Sequence, residues 1–143
     1  MNAQGMAGHL IRRLNQISTQ VFSRRVQAAG VDLTPVQFAA LDTIVAAPGI
    51  DQAGVSARIA YDRATIGGVI DRLEQKGLVS RSVSRQDRRA RDVRPTERGI
   101  RVHGESLPVI AALQDDILPG LTPEERAQFL ALAAKAIRAA PDG

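Results

Sequence analysis

The sequence predicts a mostly α-helical protein with one small β-hairpin. Apolar residues recur at three- and four-residue spacing along most of the 143 residues, which is the helical period. Only two short β-compatible runs, 77–83 and 90–94, interrupt that pattern. Aromatic residues make up 3% of the chain, so aliphatic side chains and alanine must fill the core. This composition favours helices lined by small and aliphatic residues.

The first two helices are predicted from periodicity and from capping residues. Residues 8–29 carry a helical apolar stripe that ends at Gly30, and a glycine there suits a helix stop. The second helix begins after Thr34, an N-cap that is followed by Pro35 and by Gln37 at the third helical position. It is expected to reach about residue 46.

Two further helices and the hairpin follow. Asp51 caps a short helix that reaches residue 59, and after a turn Asp62 caps a longer helix that ends at Gly77. The hairpin strands are expected at 78–84 and 91–94. A short helix, a turn, a second helix and a hairpin in this order predict a winged helix-turn-helix.

Two more helices complete the chain. Thr96 caps a helix to about residue 118, the pair Pro119-Gly120 breaks it, and Thr122 with Pro123 begins a last helix to about residue 139. The outer helices have wide apolar faces, and so few helices cannot bury those faces within one chain. We therefore expect them to interlock with those of a second copy of the chain.

The helix after Asp62 has one apolar and one polar face. Ile66, Val69, Ile70 and Leu73 share the apolar face, which is expected to pack on the preceding short helix. The polar face is the predicted DNA-binding surface, because the second helix of such a motif enters the major groove. The residues assigned to it are Arg63, Ala64, Thr65, Gly67, Gly68 and Arg72, with Gln52 at the start of the preceding helix.

Individual residues of this face have alternative explanations. Arg63 in the first turn can pair with guanine O6 and N7, or it is a solvated surface arginine. Gly67 and Gly68 each destabilise a helix by about 0.5–1 kcal/mol relative to alanine. A close approach to DNA, or a close helix crossing, would offset that. Arg72 is expected to bind a phosphate or a neighbouring acid of its own helix.

Eight arginines against three acids surround the hairpin turn. The planar, always-charged guanidinium matches phosphate oxygens. Arg88 at the tip is the predicted minor-groove residue, and Arg85, Arg89 and Arg91 are assigned to DNA with it. Asp87 is expected to orient Arg89 or Arg91 through a charge-assisted hydrogen bond. The alternative is a solvated run of charge.

Several motifs together resemble the MarR family of bacterial transcriptional regulators. The motifs are Leu33-Thr34-Pro35-Val36-Gln37-Phe38-Ala39-Ala40-Leu41, the segment Asp62 to Gly77 ending Ile70-Asp71-Arg72-Leu73-Glu74-Gln75-Lys76-Gly77-Leu78-Val79, and Asp87-Arg88-Arg89 followed by Thr96-Glu97-Arg98-Gly99. The resemblance covers about residues 8–140. Pro95 departs from it, because the family usually has an aliphatic residue there, and it could shorten the second wing strand.

The resemblance implies a homodimer that binds a pseudo-palindromic operator in double-stranded DNA, usually as a repressor. Family members commonly release DNA when a small organic anion, often aromatic, binds between the dimerisation helices and the DNA-binding lobe. The run Tyr61-Asp62-Arg63-Ala64-Thr65 with Gly67-Gly68 is similar to members that control aromatic-acid catabolism. The expected organisation is one integrated domain: a dimerisation helix at 1–32, the DNA-binding lobe at 33–96 and dimerisation helices at 97–143.

Four residues are candidates for binding the effector. His9 and Arg13 are four residues apart and share a helix face that could bind the carboxylate of an organic acid. Alternatively they are surface residues or partners in ion pairs between subunits. Phe38 could form an apolar wall or belong to the core. Asp62, first a helix cap, is the fourth candidate.

The composition argues against other classes of function. There is no cysteine, which excludes disulfides, thiolate catalysis and thiol redox sensing. Two histidines without cysteine make a zinc site unexpected, and we expect no cofactor. The sequence contains no phosphate loop, no metal-binding His-Glu pair and no nucleophile elbow, so we expect no enzyme.

Location and one alternative function complete the expectations. No apolar run is long enough for a membrane span, and no targeting segment is recognised, so we expect a cytoplasmic protein without a membrane partner. The remaining alternative is a ligand-independent architectural DNA-binding protein. Such a protein would share the basic wing but would not need a recognition helix.

Overall fold

The computed structural model describes residues 2–84, 86 and 89–140. The helices are α1 (Ala7–Ala28), α2 (Pro35–Ala46), α3 (Gln52–Ile59), α4 (Arg63–Gln75), α5 (Glu97–Leu113) and α6 (Pro123–Ala139), with 3-10 turns at Ala3–Gly5 and Gln114–Asp116. The strands β1 (Ile50–Asp51), β2 (Val79–Val83) and β3 (Arg91–Pro95) form an antiparallel sheet in the order β1-β3-β2. The predicted mostly α-helical class with a small hairpin wing is confirmed.

Two elements differ from the sequence prediction. The sequence does not predict β1, in which Ile50 pairs with Val93 and Asp51 pairs with Asp92. Two residues are too few to show the alternating pattern by which a strand is recognised. Helix α5 ends at Leu113 instead of near residue 118, and the chain continues as a 3-10 turn, which is common at the end of a helix.

Pro95 does not shorten β3, so that expectation is wrong. It is the last residue of the strand and lies opposite Val79. Thr96 N donates to Leu78 O (3.0 Å), which makes the neighbouring pair the hydrogen-bonded one. The nitrogen of Pro95 therefore points away from β2. The short β1 does not extend opposite it, and a proline is tolerated at such an edge.

Two apolar clusters form the core. The larger one lies in the winged helix-turn-helix lobe, where Leu41, Ile44, Val55, Ile66, Ile70, Leu73 and Val93 are completely buried. The smaller one joins α1 to α5 through Phe22, Val26, Ile110 and Leu113. Val31 and Phe38 pack against both clusters. They therefore lie at the junction between the lobe and the outer helices.

The start of α5 is fixed tightly to the hairpin. Thr96 Oγ1 donates to Gly77 O (2.6 Å) and accepts from Gly99 N (3.0 Å). A methyl group on Gly99 would lie 1.9 Å from Leu78 O, so only glycine allows this approach. The Thr-x-x-Gly spacing thus sets how the wing lobe joins the helix that leaves it.

The last helix buries no residue within one chain. Its apolar side chains Leu130, Leu132 and Ile137 are 58%, 65% and 74% exposed. A cleft of about 640 Å³ lies between α1 and α6 and is lined mainly by apolar groups, Phe129 among them. The outer helices therefore leave a large apolar surface uncovered. No helix in the described part of the chain is long and apolar enough to span a membrane.

Candidate nucleic-acid interface

The turn between α3 and α4 is fixed by local hydrogen bonds. Ser56 Oγ donates to Tyr61 O, and Tyr61 N donates to Ser56 O (3.1 Å). Ala60 between them has a φ of 59°, the left-handed region that alanine rarely adopts. These contacts hold α4 at a defined angle to α3.

Asp62 and Thr65 close the first turn of α4. Asp62 Oδ1 accepts from Thr65 N (2.7 Å), and Asp62 Oδ2 accepts from Thr65 Oγ1 (2.8 Å). The backbone hydrogen bond from Thr65, followed by the one from its side chain, lowers the pKa of Asp62. Both carboxylate oxygens of this exposed residue are therefore engaged in capping.

Helix α4 has the two faces that the sequence predicts. Ile66, Ile70 and Leu73 are completely buried and Val69 is 9% exposed, in the same cluster as Val55 of α3. The opposite face is open to solvent, with Gly67 half-buried and the others exposed: Arg63, Ala64, Thr65, Gly68 and Arg72. All six residues assigned to DNA on this helix thus share one accessible face.

The two glycines of this face have no steric partner that would require them. A methyl group on Gly68 would meet nothing within 4 Å, and one on Gly67 would meet only Gln52 Nε2, at 3.8 Å. A close helix crossing within the chain, one of the two expected explanations, is therefore wrong for this pair. What they provide is a smooth backbone surface on the exposed side of α4.

An open groove of about 650 Å³ lies between this face and the wing. It is lined by Asp51, Gln52, Ala53, Arg63, Arg81, Arg89, Ala90 and Arg91. Four guanidinium groups face one carboxylate, and that carboxylate caps α3 by accepting from Gly54 N (2.7 Å). The lining of the groove is therefore net positive, although Arg81 also pairs with Asp71 and Glu74, and a positive lining suits a polyanion.

Arg81 on β2 connects the wing to both helices of the motif. Its Nη1 donates to Gln52 Oε1 (2.8 Å), and its Nη2 donates to Glu74 Oε1 (3.1 Å) and to Asp71. Burial lowers the pKa of Arg81, but the hydrogen bonds and charges of Glu74 and Asp71 outweigh burial and raise it. Sequence reasoning counted Arg81 only as one basic residue among eight. Arg81 lies inside the predicted first strand of the hairpin and not in the turn, and this position is the sequence signal that distinguishes it from the other arginines.

The other predicted basic residues are placed as follows. Arg72 makes no ion pair within the described residues, where Asp71 and Glu74 pair with Arg81 instead. Of its two expected partners, the acid is therefore wrong, and the phosphate contact stays a prediction. Arg89 in the turn and Arg91 at the start of β3 are exposed. The remaining wing assignments, Arg85, Arg88 and the orienting Asp87, lie outside the described residues.

The four candidate effector residues have separate partners. His9 Nδ1 lies 3.0 Å from Arg12 Nη2, and Arg13 Nη1 donates to Gln16 Oε1 (2.7 Å). Asp62 is the cap of α4. These contacts place each candidate in its own local environment.

Phe38 has the partner that sequence reasoning missed. Its ring stacks on His103, and His103 Nε2 donates to Asp42 Oδ1 (2.7 Å). The histidine comes from α5 and the other two residues from α2. Within the described part of the chain, no three His, Cys, Asp or Glu side chains are grouped as a metal site.

Comparison with known proteins identifies similar chains. A family model described as MarR family matches residues 31–90. The transcriptional regulator HosA of Escherichia coli O127:H6 is 30% identical over 135 residues, which are 94% of this chain and 97% of HosA.

Two solved structures resemble the whole chain. The PcaV transcriptional regulator from Streptomyces coelicolor, solved with its natural ligand, has a TM-score of 0.87 and 34% identity, covering 99% of this chain and 98% of PcaV. BpsR of Bordetella bronchiseptica, whose DNA binding is regulated by 6-hydroxynicotinic acid, has a TM-score of 0.89 and 28% identity, covering 99% of both chains.

Proposed function

The chain belongs to the MarR family of transcriptional regulators, and from that premise we propose that it is a homodimeric repressor which leaves its operator when a small aromatic acid binds. The observation that carries the proposal is the exposed face of α4 beside the arginine-lined groove. An exposed helix face that is flanked by guanidinium groups fits the major groove of DNA and its phosphates.

Helix α4 supplies the contacts to bases in this proposal. Arg63 is exposed in its first turn and can donate to guanine O6 and N7. Ala64 and Thr65 occupy the same turn, and the unobstructed backbone at Gly67 and Gly68 lets the helix lie close to the groove floor. Arg72, more than two turns later, is the candidate for a phosphate contact.

The wing supplies further contacts to phosphates and to the minor groove. Arg89 and Arg91 line the groove next to Arg63. Arg85 and Arg88, assigned from the sequence alone, are proposed to bind DNA with them. Inserting an arginine into a narrow minor groove favours sequences that narrow it, so the wing adds affinity and a preference for DNA shape.

The outer helices are proposed to form the dimer. Helix α6 buries nothing within its own chain, and its exposed Leu130 and Ile137 border an apolar cleft that a second copy can fill. Residues 1–32 and 97–143 then serve dimerisation and residues 33–96 bind DNA. A two-fold dimer places two α4 helices about one DNA turn apart on a pseudo-palindrome.

The effector is proposed to act at the junction between these parts. Phe38 packs against both apolar clusters and stacks on His103. A second aromatic ring can extend this stack, and nearby polar groups can bind its carboxylate. The similar proteins PcaV and BpsR are bound or regulated by small ligands, 6-hydroxynicotinic acid in the case of BpsR. His9 and Arg13 remain candidates for the carboxylate contact. Asp62 is itself an acceptor, so it remains a candidate only for a donor group of the ligand, such as a hydroxyl.

The mechanism is a population shift. A ligand that prefers the dimer geometry with misplaced α4 helices lowers DNA affinity by its difference in binding free energy between the two geometries. This role requires no catalysis and no cofactor, and the protein is proposed to work in the cytoplasm. A regulator that never responds to a ligand is the alternative.

A competition assay tests the proposal. Promoter DNA adjoining the gene is labelled and challenged with unlabelled bulk DNA at fixed salt, with and without a panel of aromatic acids. We expect the labelled complex to resist about a thousandfold excess of bulk DNA and to dissociate with one acid of the panel. Equal competition by bulk DNA would indicate an architectural protein. A resistant complex that no acid dissociates would indicate a ligand-independent regulator.

A further inference from the structure

Arg81 determines which atom Gln52 can offer to DNA. Gln52 is the first residue of α3 and lies at the edge of the groove. Its Oε1 accepts from Arg81 Nη1 at 2.8 Å, and its Nε2 lies beside Gly67, on the accessible face of α4. One side chain of the wing therefore contacts one side chain of the helix-turn-helix at the point where the two meet.

The orientation of this amide follows from chemistry. An arginine has donors and no acceptor, so the amide atom that faces it must be the oxygen. The oxygen points to Arg81, and the NH2 group is the part turned toward the groove. Recognition of adenine by glutamine needs both amide atoms at one base edge, which this orientation does not allow. Gln52 is therefore presented as a hydrogen-bond donor.

Arg81 itself is committed to the protein. Its side chain is 15% exposed, and its second nitrogen binds the carboxylates of Asp71 and Glu74. Two negative charges beside one guanidinium leave no excess positive charge for a phosphate. This distinguishes Arg81 from Arg63 and Arg91, which line the same groove and make no ion pair within the described residues.

We propose that Arg81 is a positioning residue of the DNA interface, which orients Gln52 so that Nε2 donates to an acceptor on the operator, either a phosphate oxygen or an acceptor atom of a base edge. The inference rests on the proposed use of the groove for DNA. It adds that Gln52 cannot make the bidentate contact to an adenine edge, and that this restriction depends on a residue that does not touch DNA.

A double-mutant cycle tests the link between the two residues. Operator duplexes are selected from a random-sequence library by the wild-type dimer, and their affinities are measured for Gln52→Ala, Arg81→Lys and the double variant. Lysine keeps the positive charge beside Asp71 and Glu74 but lacks the fork that also reaches Gln52. We expect each single variant to weaken binding about 2- to 12-fold, the range of one neutral hydrogen bond, and the double variant to be no weaker.

The outcomes separate the inference from its premise. If Arg81→Lys weakens binding equally in the Gln52→Ala background, Arg81 acts independently of Gln52 and the inference is overturned. If Gln52→Ala has no effect while Arg63→Ala does, the groove binds DNA but Gln52 has no part in it. If neither Gln52→Ala nor Arg63→Ala weakens binding, the proposed interface itself is wrong.

Gln52→Glu covers the case in which Arg81→Lys does not fold. A glutamate keeps an oxygen toward Arg81 but replaces the donor with a second acceptor and a negative charge. We expect it to bind the operator at least as weakly as Gln52→Ala, with the thermal unfolding midpoint of the wild type retained. Wild-type affinity for this variant would overturn the inference.

The base preferences of the variants identify the acceptor. Selection is repeated with Gln52→Ala and Arg81→Lys, and the selected sequences are compared with those of the wild type. If the acceptor belongs to a base edge, both variants lose the preference at one base pair of each half-site. If it is a phosphate oxygen, both lose affinity uniformly and keep the same sequence. Either result supports the inference, and a new adenine preference in Arg81→Lys alone would support the orienting role most directly. A preference lost in Gln52→Ala but kept in Arg81→Lys would overturn it.

Discussion

Phe38 of α2 and His103 of α5 stack with their ring planes 5° apart and their centroids 5.8 Å apart. His103 also hydrogen-bonds to Asp42 through Nε2, and only 14% of its side chain is exposed. Phe38 also packs against both apolar clusters, so the stack connects the DNA-binding lobe to the outer helices. We propose that the effector inserts next to this pair and so changes how α2 packs on α5.

Phe38→Leu should weaken the response to an effector more than it weakens DNA binding. The substitution keeps an apolar side chain but removes the stacking surface, which is worth about 0.5–1.5 kcal/mol for an aromatic pair. We expect the concentration of aromatic acid that releases half of the operator to rise about 2- to 12-fold. Operator titrations at several acid concentrations measure this.

Phe22→Leu is the matched control. Phe22 is buried in the α1–α5 cluster, and the substitution removes the same aromatic ring there, outside the stack with His103. Both variants replace a ring with a smaller apolar side chain, and each should lose less stability than the roughly 3–5 kcal/mol typical of truncating a phenylalanine to alanine. An equal change of effector response in the two variants would show that general loosening of the core, and not the stack, is responsible.

Arg63→Ala should relax sequence preference at one base pair of each half-site. A bidentate arginine–guanine contact is worth about 1–3 kcal/mol of discrimination, or roughly 5- to 150-fold. Binding to mutated operators, one base pair at a time, measures the loss. Arg101→Ala on the exposed side of α5 removes the same charge and should leave the preference unchanged. Unchanged discrimination in Arg63→Ala would contradict the base contact.

The local parts of this fold are predictable from the sequence. Thr34, Asp62, Thr96 and Thr122 each cap the helix that the sequence assigns to them, because a cap and its partner lie within one turn. The buried face of α4 is predictable for the same reason, since its period is local. The end of α5 is less predictable, because a 3-10 turn continues the helix without any helix-breaking residue between them.

The long-range parts of the site are not predictable in this way. Arg81 and Gln52 are 29 positions apart, and Phe38 and His103 are 65 apart. Periodicity describes neighbours within a helical turn or along a strand, whereas these pairs depend on how whole elements pack. The sequence therefore identifies basic and aromatic candidates without identifying which of them hold one another in place.

Ala60→Gly should stabilise the protein. The left-handed conformation of Ala60 destabilises an L-residue by about 1–2 kcal/mol, while glycine adopts it freely. Part of the gain is offset by the larger freedom of glycine in the unfolded chain. We expect a net gain of about 0.5–1 kcal/mol in the free energy of unfolding, measured with urea.

Ala57→Gly is the control for that change. Ala57 lies in the exposed interior of α3, where the same substitution should lose about 0.5–1 kcal/mol. The two variants differ only in the backbone conformation of the position. Effects of the same sign would mean that the turn is not strained at Ala60.

The cap on α4 should weaken in acid. Hydrogen bonds from Thr65 hold the pKa of Asp62 below its usual value of 3.8. A carboxylate whose pKa is lower in the folded than in the unfolded protein stabilises the fold at any pH above its unfolded pKa. This contribution is lost as the pH falls through the lower pKa of the folded state. Asp62→Asn, which cannot titrate, should therefore differ from the wild type at neutral pH and converge with it well below pH 3.8.

Thermal unfolding midpoints between pH 7 and pH 2 check this expectation. Thr65→Ala removes the hydroxyl donor but keeps the backbone donor, which is the larger cause of the lowered pKa. It should therefore reduce the acid dependence without abolishing it. A difference between Asp62→Asn and the wild type that stays constant throughout this range would contradict the assigned pKa shift.

Gly68→Ala should stabilise the free protein and weaken its complex with DNA. A methyl group at this position meets nothing within 4 Å, so alanine should add about 0.5–1 kcal/mol to the stability of α4. The same methyl group would project from the face that is proposed to approach the major groove. We expect operator affinity to fall about tenfold while the urea midpoint rises.

Gly104→Ala separates the two effects. Gly104 is also helical and its added methyl group also meets nothing within 4 Å, but it lies on α5, away from the arginine groove. It should gain similar stability and keep its operator affinity. Both changes replace a helix-destabilising glycine with alanine, so they share their effect on helix stability. A loss of affinity confined to Gly68→Ala therefore comes from the surface of α4. Equal affinities in the two variants would mean that the backbone at Gly68 does not approach DNA.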